Sequence, residues 1–188
     1  MTELKSLQNH FLIAMPSLED PYFSRSITYI CEHNSEGAMG IVINQPSNMN
    51  LKELLEQTDK DTEFADSTSE HIVLAGGPVS QERGFVLHSD DGGWSSSLKM
   101  APGVVVTTSK DILSAIGHSE GPEHAIIALG YAGWEAGQLE KEMQENAWLT
   151  VEADTDILFN TPVHKKWQSA VKKLGVDVWQ LTPQVGHA

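Results

Sequence analysis

Cysteine is almost absent from this sequence: Cys31 is the only one among 188 residues. An intrachain disulfide is therefore impossible, which fits the reducing conditions of the cytosol. Long apolar runs are missing too, because the longest uncharged one, residues 125–134, is far shorter than the roughly 20 residues of a spanning helix. The N-terminal apolar run at 11–15 is shorter than a signal-peptide core. We expect a cytoplasmic protein that is neither exported nor inserted in a membrane.

Basic residues are scarce as well. Twelve Lys and Arg stand against 26 Asp and Glu, which gives a net charge of −14. Because nucleic-acid affinity depends largely on basic side chains that neutralise phosphates, direct DNA or RNA binding is not expected. The densest basic stretch holds Lys165, Lys166, Lys172 and Lys173, which we interpret as ordinary solvated lysines.

Length and composition predict one domain covering residues 1–188, since a chain of this size usually forms a single core. Apolar and β-branched runs predict strands at 11–15, 26–33, 38–44, 71–75, 84–88, 104–107, 123–129 and 147–152. The short polar link at 33–37 predicts an antiparallel hairpin between the second and third of these. The polar stretches 57–70 and 89–97 are interpreted as loops.

Four helices are predicted from capping residues and apolar spacing. Asn50 and Ser109 are expected to cap the first two, and residues 138–146 form the third. Thr161 is expected to cap the fourth, which ends at Gly175. Strands and helices do not alternate regularly, so the predicted class is α+β, a compact domain of mixed, mostly antiparallel, irregular sheets with peripheral helices.

One catalytic motif is present by pattern but not by context. Residues 117–121 match G-x-S-x-G, the turn that exposes the nucleophilic serine of α/β-hydrolases. In those enzymes a strand enters the turn and a helix leaves it, whereas here a helix is predicted to enter and a strand to leave. Ser119 is therefore interpreted as part of a connecting loop.

Cys31 and His33 are the candidate reactive residues. Side chains two apart on a strand share a face, and a Cys–His pair there can activate the thiol. The alternative interpretation makes Cys31 a small buried side chain of the sheet. The remaining histidines, His88 among them, show no metal-ligand spacing, so neither a metal nor another cofactor is predicted.

Two glycine-rich segments at strand ends are the candidate binding elements. Gly76, Gly77 and Pro78 follow a predicted strand but lack a phosphate-loop pattern, so they are either a tight structural turn or a site lined by backbone. Gly130, Trp134 and Gln138 lie where another strand leads into a helix, an arrangement that suits a ligand site or a structural contact.

The chain resembles the YqgE/AlgH family of bacterial proteins over roughly residues 6–188. The matching segments are 11–16 (FLIAMP), 23–26 (FSRS), 30–34 (ICEHN), 36–40 (EGAMG), 43–46 (INQP), 76–79 (GGPV), 84–88 (GFVLH), 129–134 (LGYAGW), 137–140 (GQLE), 146–149 (NAWL), Phe159, Trp167, 174–175 and 186–188. The resemblance implies an α+β fold of irregular, partly folded sheets with peripheral helices. It implies no agreed catalytic residue or cofactor, and one branch carries a label as a transcriptional regulator.

The leading hypothesis is a non-enzymatic binding or regulatory protein that acts through a protein partner or a small ligand. Its predicted site combines Arg25, Gly76, Gly77, Pro78, His88, Gly130, Trp134 and Gln138. One alternative is an enzyme of unknown class that uses Cys31, His33 or His88. Another is a direct DNA-binding regulator, which the net charge and the absence of a predicted helix-turn-helix pair disfavour.

Overall fold

The computed structural model describes residues 6–16, 18, 23–58, 71–89, 93–118 and 120–175. The strands within them are β1 (His10–Ala14), β2 (Ile27–Asn34), β3 (Gly37–Val42), β4 (Pro46–Asn50), β5 (Ile72–Ala75), β6 (Val79–His88), β7 (Ser97–Ala101), β8 (Val104–Thr107), β9 (Ala125–Glu135) and β10 (Trp148–Glu152). The α-helices are α1 (Leu51–Thr58), α2 (Lys110–Gly117), α3 (Gln138–Gln144) and α4 (Lys166–Leu174). A π-helical turn, Asp156–Asn160, and a 3-10 turn, Val163–Lys165, precede α4.

The strands form one curled sheet in the order β10-β1-β2-β3-β9-β6-β8-β7, with β5 added to β9 and β4 to β5. All pairings among the described strands are antiparallel except that of β5 with β9. The predicted hairpin of β2 and β3 is confirmed, since Asn34 pairs with Gly37 across its turn. The α+β class, with a mixed and mostly antiparallel sheet, is confirmed.

Apolar side chains fill three cores on the two sides of this sheet. Strand alternation sends Ile27 and Tyr29 into the first core, with Trp167 of α4, while Ile30 enters the third core with Leu139 of α3. The second core lies under α1 and α2 and contains Leu51, Leu55, Val86, Ile112 and Ile127. Peripheral helices thus cover parts of both sheet faces.

Several predicted element ends need correction. Thr161 does not cap α4, because the 3-10 turn Val163–Lys165 comes first and α4 begins only at Lys166. Ser109 stands before α2 but makes no side-chain capping bond, since its hydroxyl is hydrogen bonded to the Asp111 carboxylate. In contrast, the Asn50 cap is confirmed by its Oδ1, which accepts a bond from Glu53 N at 2.9 Å. The Gly175 stop is confirmed by its left-handed φ of 84°.

Two strands are absent from the sequence-based prediction. β4 (PSNMN) is mostly polar, whereas β7 (SLKMA) has three apolar residues but begins at the end of the stretch 89–97, which the sequence predicts to be a loop. Residues 59–70 and 90–92 of the predicted loops, and Ser119, lie outside the described residues. The context of Ser119 is nevertheless as predicted, because α2 comes before it and β9 after it. Among the described helices none is long and apolar enough to cross a membrane.

Candidate functional site

Gly76, Gly77 and Gly130 are brought together, but as a packed backbone junction. A Cβ on Gly76 would lie 2.3 Å from the Gly130 carbonyl oxygen, and one on Gly77 would lie 2.1 Å from the Tyr131 carbonyl carbon. Gly76 also bridges two strands: its N–H donates to Leu129 O and its carbonyl accepts from Val42 N. The glycines therefore allow β3 and β5 to meet along β9 without side chains between them. Pro78, which follows, is exposed.

Trp134 and Gln138 lie in a different contact, centred on Glu142 of α3. The indole N–H groups of Trp134 and Trp148 both donate to Glu142 Oε1, at 3.1 and 3.0 Å. Gln138 Nε2 donates to Glu142 Oε2 at 2.9 Å, and its Oε1 accepts from Glu135 N at 2.9 Å. These bonds fasten α3 onto the third core, so they have an evident structural role.

His88 and Arg25 stand apart from both groups. His88 is buried, with Nδ1 2.6 Å from Ser89 O and Nε2 2.6 Å from Thr107 Oγ1. A carbonyl only accepts, so Nδ1 donates to Ser89 O, while Nε2 shares a hydrogen bond with the threonine hydroxyl. The Arg25 guanidinium lies 5.0 Å from the centre of the Trp167 ring. The predicted site residues are therefore distributed over several places and do not converge on one cavity.

A β-bulge separates Cys31 from His33. Ile30 pairs with Gly40 and Glu32 with Met39, so Cys31 is an extra residue in β2. Cys31 packs in the first core, whereas His33 contacts Glu140 of α3 on the other side of the sheet. The expectation that the two side chains share one face is wrong, because it assumes an unbroken alternation.

Neither residue has the surroundings of an activated nucleophile. Burial, with a smaller effect of the Glu32 charge, raises the pKa of Cys31 from 9.0 to about 12, which keeps the thiol protonated at neutral pH. His33 Nδ1 accepts from Leu7 N at 2.9 Å, so its Nε2 donates to Glu140. Burial opposes ionisation of Glu140, but the His33 bond and other hydrogen bonds outweigh it and lower the pKa of Glu140.

Lys166 is not one of the solvated lysines that the sequence suggests. Its side chain is only 3% exposed, and its Nζ donates to Leu158 O at 2.9 Å. Within the described part of the chain no carboxylate forms an ion pair with it. Burial lowers the pKa of Lys166 from 10.5 to about 8.

A groove of about 570 Å³ opens on the described surface, and the sequence-based reasoning missed it. We call it the β7 groove. Its lining residues come from strands far apart in sequence: Gln8, Cys31, Glu32, Met39, Arg83, Phe85, Ser96, Ser97, Leu98, Met100, Val106, Thr108 and Tyr131.

Among the described residues, a helix covers the first core at one end only, and the groove lies beyond this helix. α4 packs on β1, β2 and β10. Beyond it, Phe85, Val106 and Met100 continue the first core toward β7, where the groove opens. A sheet face that keeps apolar side chains without a covering helix is a typical recognition surface.

The β7 groove combines apolar with polar side chains, and the polar ones are Gln8, Glu32, Arg83, Ser96, Ser97 and Thr108. The Arg83 guanidinium lies 5.4 Å from the centre of the Phe85 ring. Among the described residues no carboxylate forms an ion pair with it, including the Glu32 carboxylate that also lines the groove. No set of three or more His, Cys, Asp or Glu side chains in the described ranges is placed to hold a metal ion. The groove is therefore suited to binding, with one anchored cation on an apolar floor.

Comparison with known proteins identifies relatives along the whole chain. The family model described as AlgH-like matches residues 11–179. A UPF0301 protein of Thioalkalivibrio sulfidiphilus is 55% identical over 188 residues, which is 100% of this chain and 100% of that protein. A UPF0301 protein of Vibrio cholerae is 53% identical over 186 residues, covering 97% of this chain and 100% of its own. Neither name states an activity.

Solved structures show the same fold. The solution structure of the AlgH protein from Pseudomonas aeruginosa has a TM-score of 0.81 and 47% identity, over 100% of this chain and 99% of that one. A crystal structure of a Corynebacterium diphtheriae protein has a TM-score of 0.73 at 17% identity, over 96% of this chain and 94% of that one, which shows the fold alone. The family resemblance is confirmed, and this chain belongs to the AlgH-like family.

Proposed function

We propose that this protein is a non-catalytic binding or regulatory protein whose binding site is the β7 groove. The observation that carries this is the groove itself, about 570 Å³ in volume, in which apolar side chains such as Phe85, Met100 and Val106 lie beside polar ones and the Arg83 cation is held over Phe85. A concave apolar surface with a few placed polar groups is the usual form of a ligand or partner site. Met39 and Met100 add flexible walls that can adapt to an occupant.

The chemistry of the reactive candidates supports binding over catalysis. The Cys31 thiol lines the groove, but its raised pKa makes it a poor nucleophile. His33 and His88 are buried, and both ring nitrogens of each are engaged with protein groups. An imidazole in this state has no ring nitrogen left for a substrate proton.

The net charge of −14 argues against direct contact with nucleic acid, so a regulatory role would act through a protein or a small molecule. The single unpaired cysteine is consistent with action in the cytoplasm.

The test is a binding comparison among three proteins: wild type, Leu98→Asp and Gln138→Ala. Leu98 is 64% exposed on the groove wall, so a carboxylate there spoils the apolar lining at little cost to folding. Gln138 lies at α3, away from the groove. A metabolite and peptide library is screened by thermal shift, and hits are mapped by amide chemical shifts.

Hits that bind wild type and Gln138→Ala equally but are lost with Leu98→Asp support the groove. The reverse pattern would move the site to Trp134 and Gln138, as the sequence first suggested. If no library member binds wild type and no cellular molecule co-purifies with it, the binding function itself is contradicted.

A further inference from the structure

β7 is an edge strand of the sheet. In the strand order of the described residues it stands at the end, where it pairs with β8, and no other described strand pairs with its outer side. The opposite end of the sheet differs, because α3 and α4 pack against β10 and Lys173 Nζ donates to Glu152 O at 2.7 Å. An edge strand presents backbone donors and acceptors that can pair with another chain.

The register shows which backbone groups of β7 point outward. Thr108 N donates to Ser96 O at 3.0 Å, so Ser96 and Thr108 form a hydrogen-bonded pair. Ser97 opposite Thr107 is the next pair along, and in an antiparallel ladder hydrogen-bonded and non-hydrogen-bonded pairs alternate. The N–H and C=O of Ser97 therefore face away from β8, at the free edge.

The β7 groove begins at this edge. Ser97 and Leu98 line it on β7, Val106 lines it on β8, and Arg83 and Phe85 line it on β6. Two strand spacings, about 10 Å, separate β7 from β6. A long acidic side chain on a strand added at β7 and the long Arg83 side chain can together span this distance.

Charge favours an acidic occupant. Arg83 is the cation of the groove lining, and it forms no ion pair with a described carboxylate. An Arg guanidinium over an aromatic ring keeps its N–H donors available at the ring's rim for a carboxylate.

Resting on the proposed binding function, we propose that the groove's occupant is an extended peptide segment that adds to the sheet beside β7. Its backbone pairs with the outward N–H and C=O of Ser97. Apolar side chains at alternate positions lie over Leu98 and Met100, and an acidic side chain pairs with Arg83. This is strand addition, in which the backbone supplies affinity and the alternate side chains supply specificity.

The probe is a displayed library of linear peptides of about six residues, the usual strand length. It is selected on wild type, and the affinity of each selected peptide is then measured on Ser97→Pro. Proline is tolerated at the first residue of a strand, and here it removes the outward N–H while the inward pairs of β7 and β8 remain. Ser97→Ala is the matched control, because it loses the same hydroxyl contact with Thr107 but keeps the N–H.

Selected peptides should show apolar residues at alternate positions and at least one acidic residue. Affinity should fall about fivefold or more in Ser97→Pro relative to Ser97→Ala, the effect of one lost hydrogen bond. Arg83→Gln should weaken acidic peptides about tenfold and leave their amide-substituted versions unchanged. In a peptide that adds to β7, every second backbone N–H faces the strand. Methylation of these N–H groups should abolish binding, whereas methylation of the N–H groups in between should be tolerated.

Equal affinity for Ser97→Pro and Ser97→Ala, together with tolerance of N-methylation in both registers, would overturn strand addition. If Leu98→Asp still weakens the binding of those peptides or of other library molecules, the groove is a binding site but its occupant does not add a strand beside β7. Selection of no peptide at all also overturns strand addition. Concentration-dependent self-association of the free protein that Ser97→Pro abolishes would make a second copy of this chain the occupant.

Discussion

Replacing Lys166 by Met tests the electrostatic cost of the buried amine. The side chain is 3% exposed, its Nζ has Leu158 O as acceptor at 2.9 Å, and no described carboxylate compensates its charge. Burial lowers the pKa of Lys166 from 10.5 to about 8. Met fills a similar unbranched volume without a charge.

The magnitude follows from that pKa change. A fall from 10.5 to about 8 corresponds to about 3 kcal/mol of stability lost when the buried amine is charged, as it is below pH 8. Between pH 8 and 10.5 the folded protein has released the proton while the unfolded chain keeps it, so the free energy of unfolding rises with pH. Between pH 7 and pH 10, the release of this proton raises the free energy of unfolding by about 2 kcal/mol.

The assay is urea unfolding of wild type and Lys166→Met at pH 7 and pH 10. The raised pKa values of Cys31 and Tyr29 work in the opposite direction above pH 9, because the unfolded chain loses those protons first. Both proteins carry these groups, so the difference between them isolates Lys166.

We expect Lys166→Met to be more stable than wild type at pH 7. Removing the buried charge stabilises the protein by about 3 kcal/mol, and losing the hydrogen bond to Leu158 O costs about 1 kcal/mol of this gain. The advantage should shrink by about 2 kcal/mol at pH 10. A difference that does not change between the two pH values would refute the reasoning. An NMR titration that places the Nζ of Lys166 near 10.5 would do the same.

Two more predictions concern the thiol and the α3 contact. Alkylation of Cys31 at neutral pH should be about a thousandfold slower in the native protein than in urea, because its pKa rises from 9.0 to about 12; equal rates would show an accessible thiolate. Glu142→Leu should lower the free energy of unfolding by about 2–4 kcal/mol, since both indole donors lose their acceptor, while Glu142→Gln should recover most of this loss. Tryptophan-monitored unfolding distinguishes them, and an unchanged Glu142→Leu protein would mean that the bonds contribute nothing net.

Much of the fold could be read from local patterns. The strand at β2, the helix that follows Asn50 and the stop at Gly175 depend on alternation, capping and a left-handed glycine, which act over a few residues. β4 could not be read in this way, because a polar edge strand is stabilised by pairing more than by its own apolar content, and β7 is a strand of only five residues beside the turn-rich stretch 89–97.

The candidate site was less accessible to such reasoning. Gly76 and Gly130 were correctly singled out as unusual, but only the close approach of their backbones shows that they join strands. The pair of Cys31 and His33 was assumed to share a face, and a bulge that depends on pairing with β3 places them apart. Lys166 was interpreted as solvated because nothing near it in sequence indicates burial.

The amino-acid sequence by itself determined the α+β class, the family, the absence of an intrachain disulfide and the strong negative charge. These properties depend on composition and on residues that are neighbours along the chain. Only the tertiary structure decided the β7 groove, the free edge at Ser97 and the placement of Arg83 over Phe85. The residues that form these features come from β2, β3 and β6–β9, and the curl of the sheet brings them together. The helix α4 packs on β1, β2 and β10, at the opposite end of the sheet.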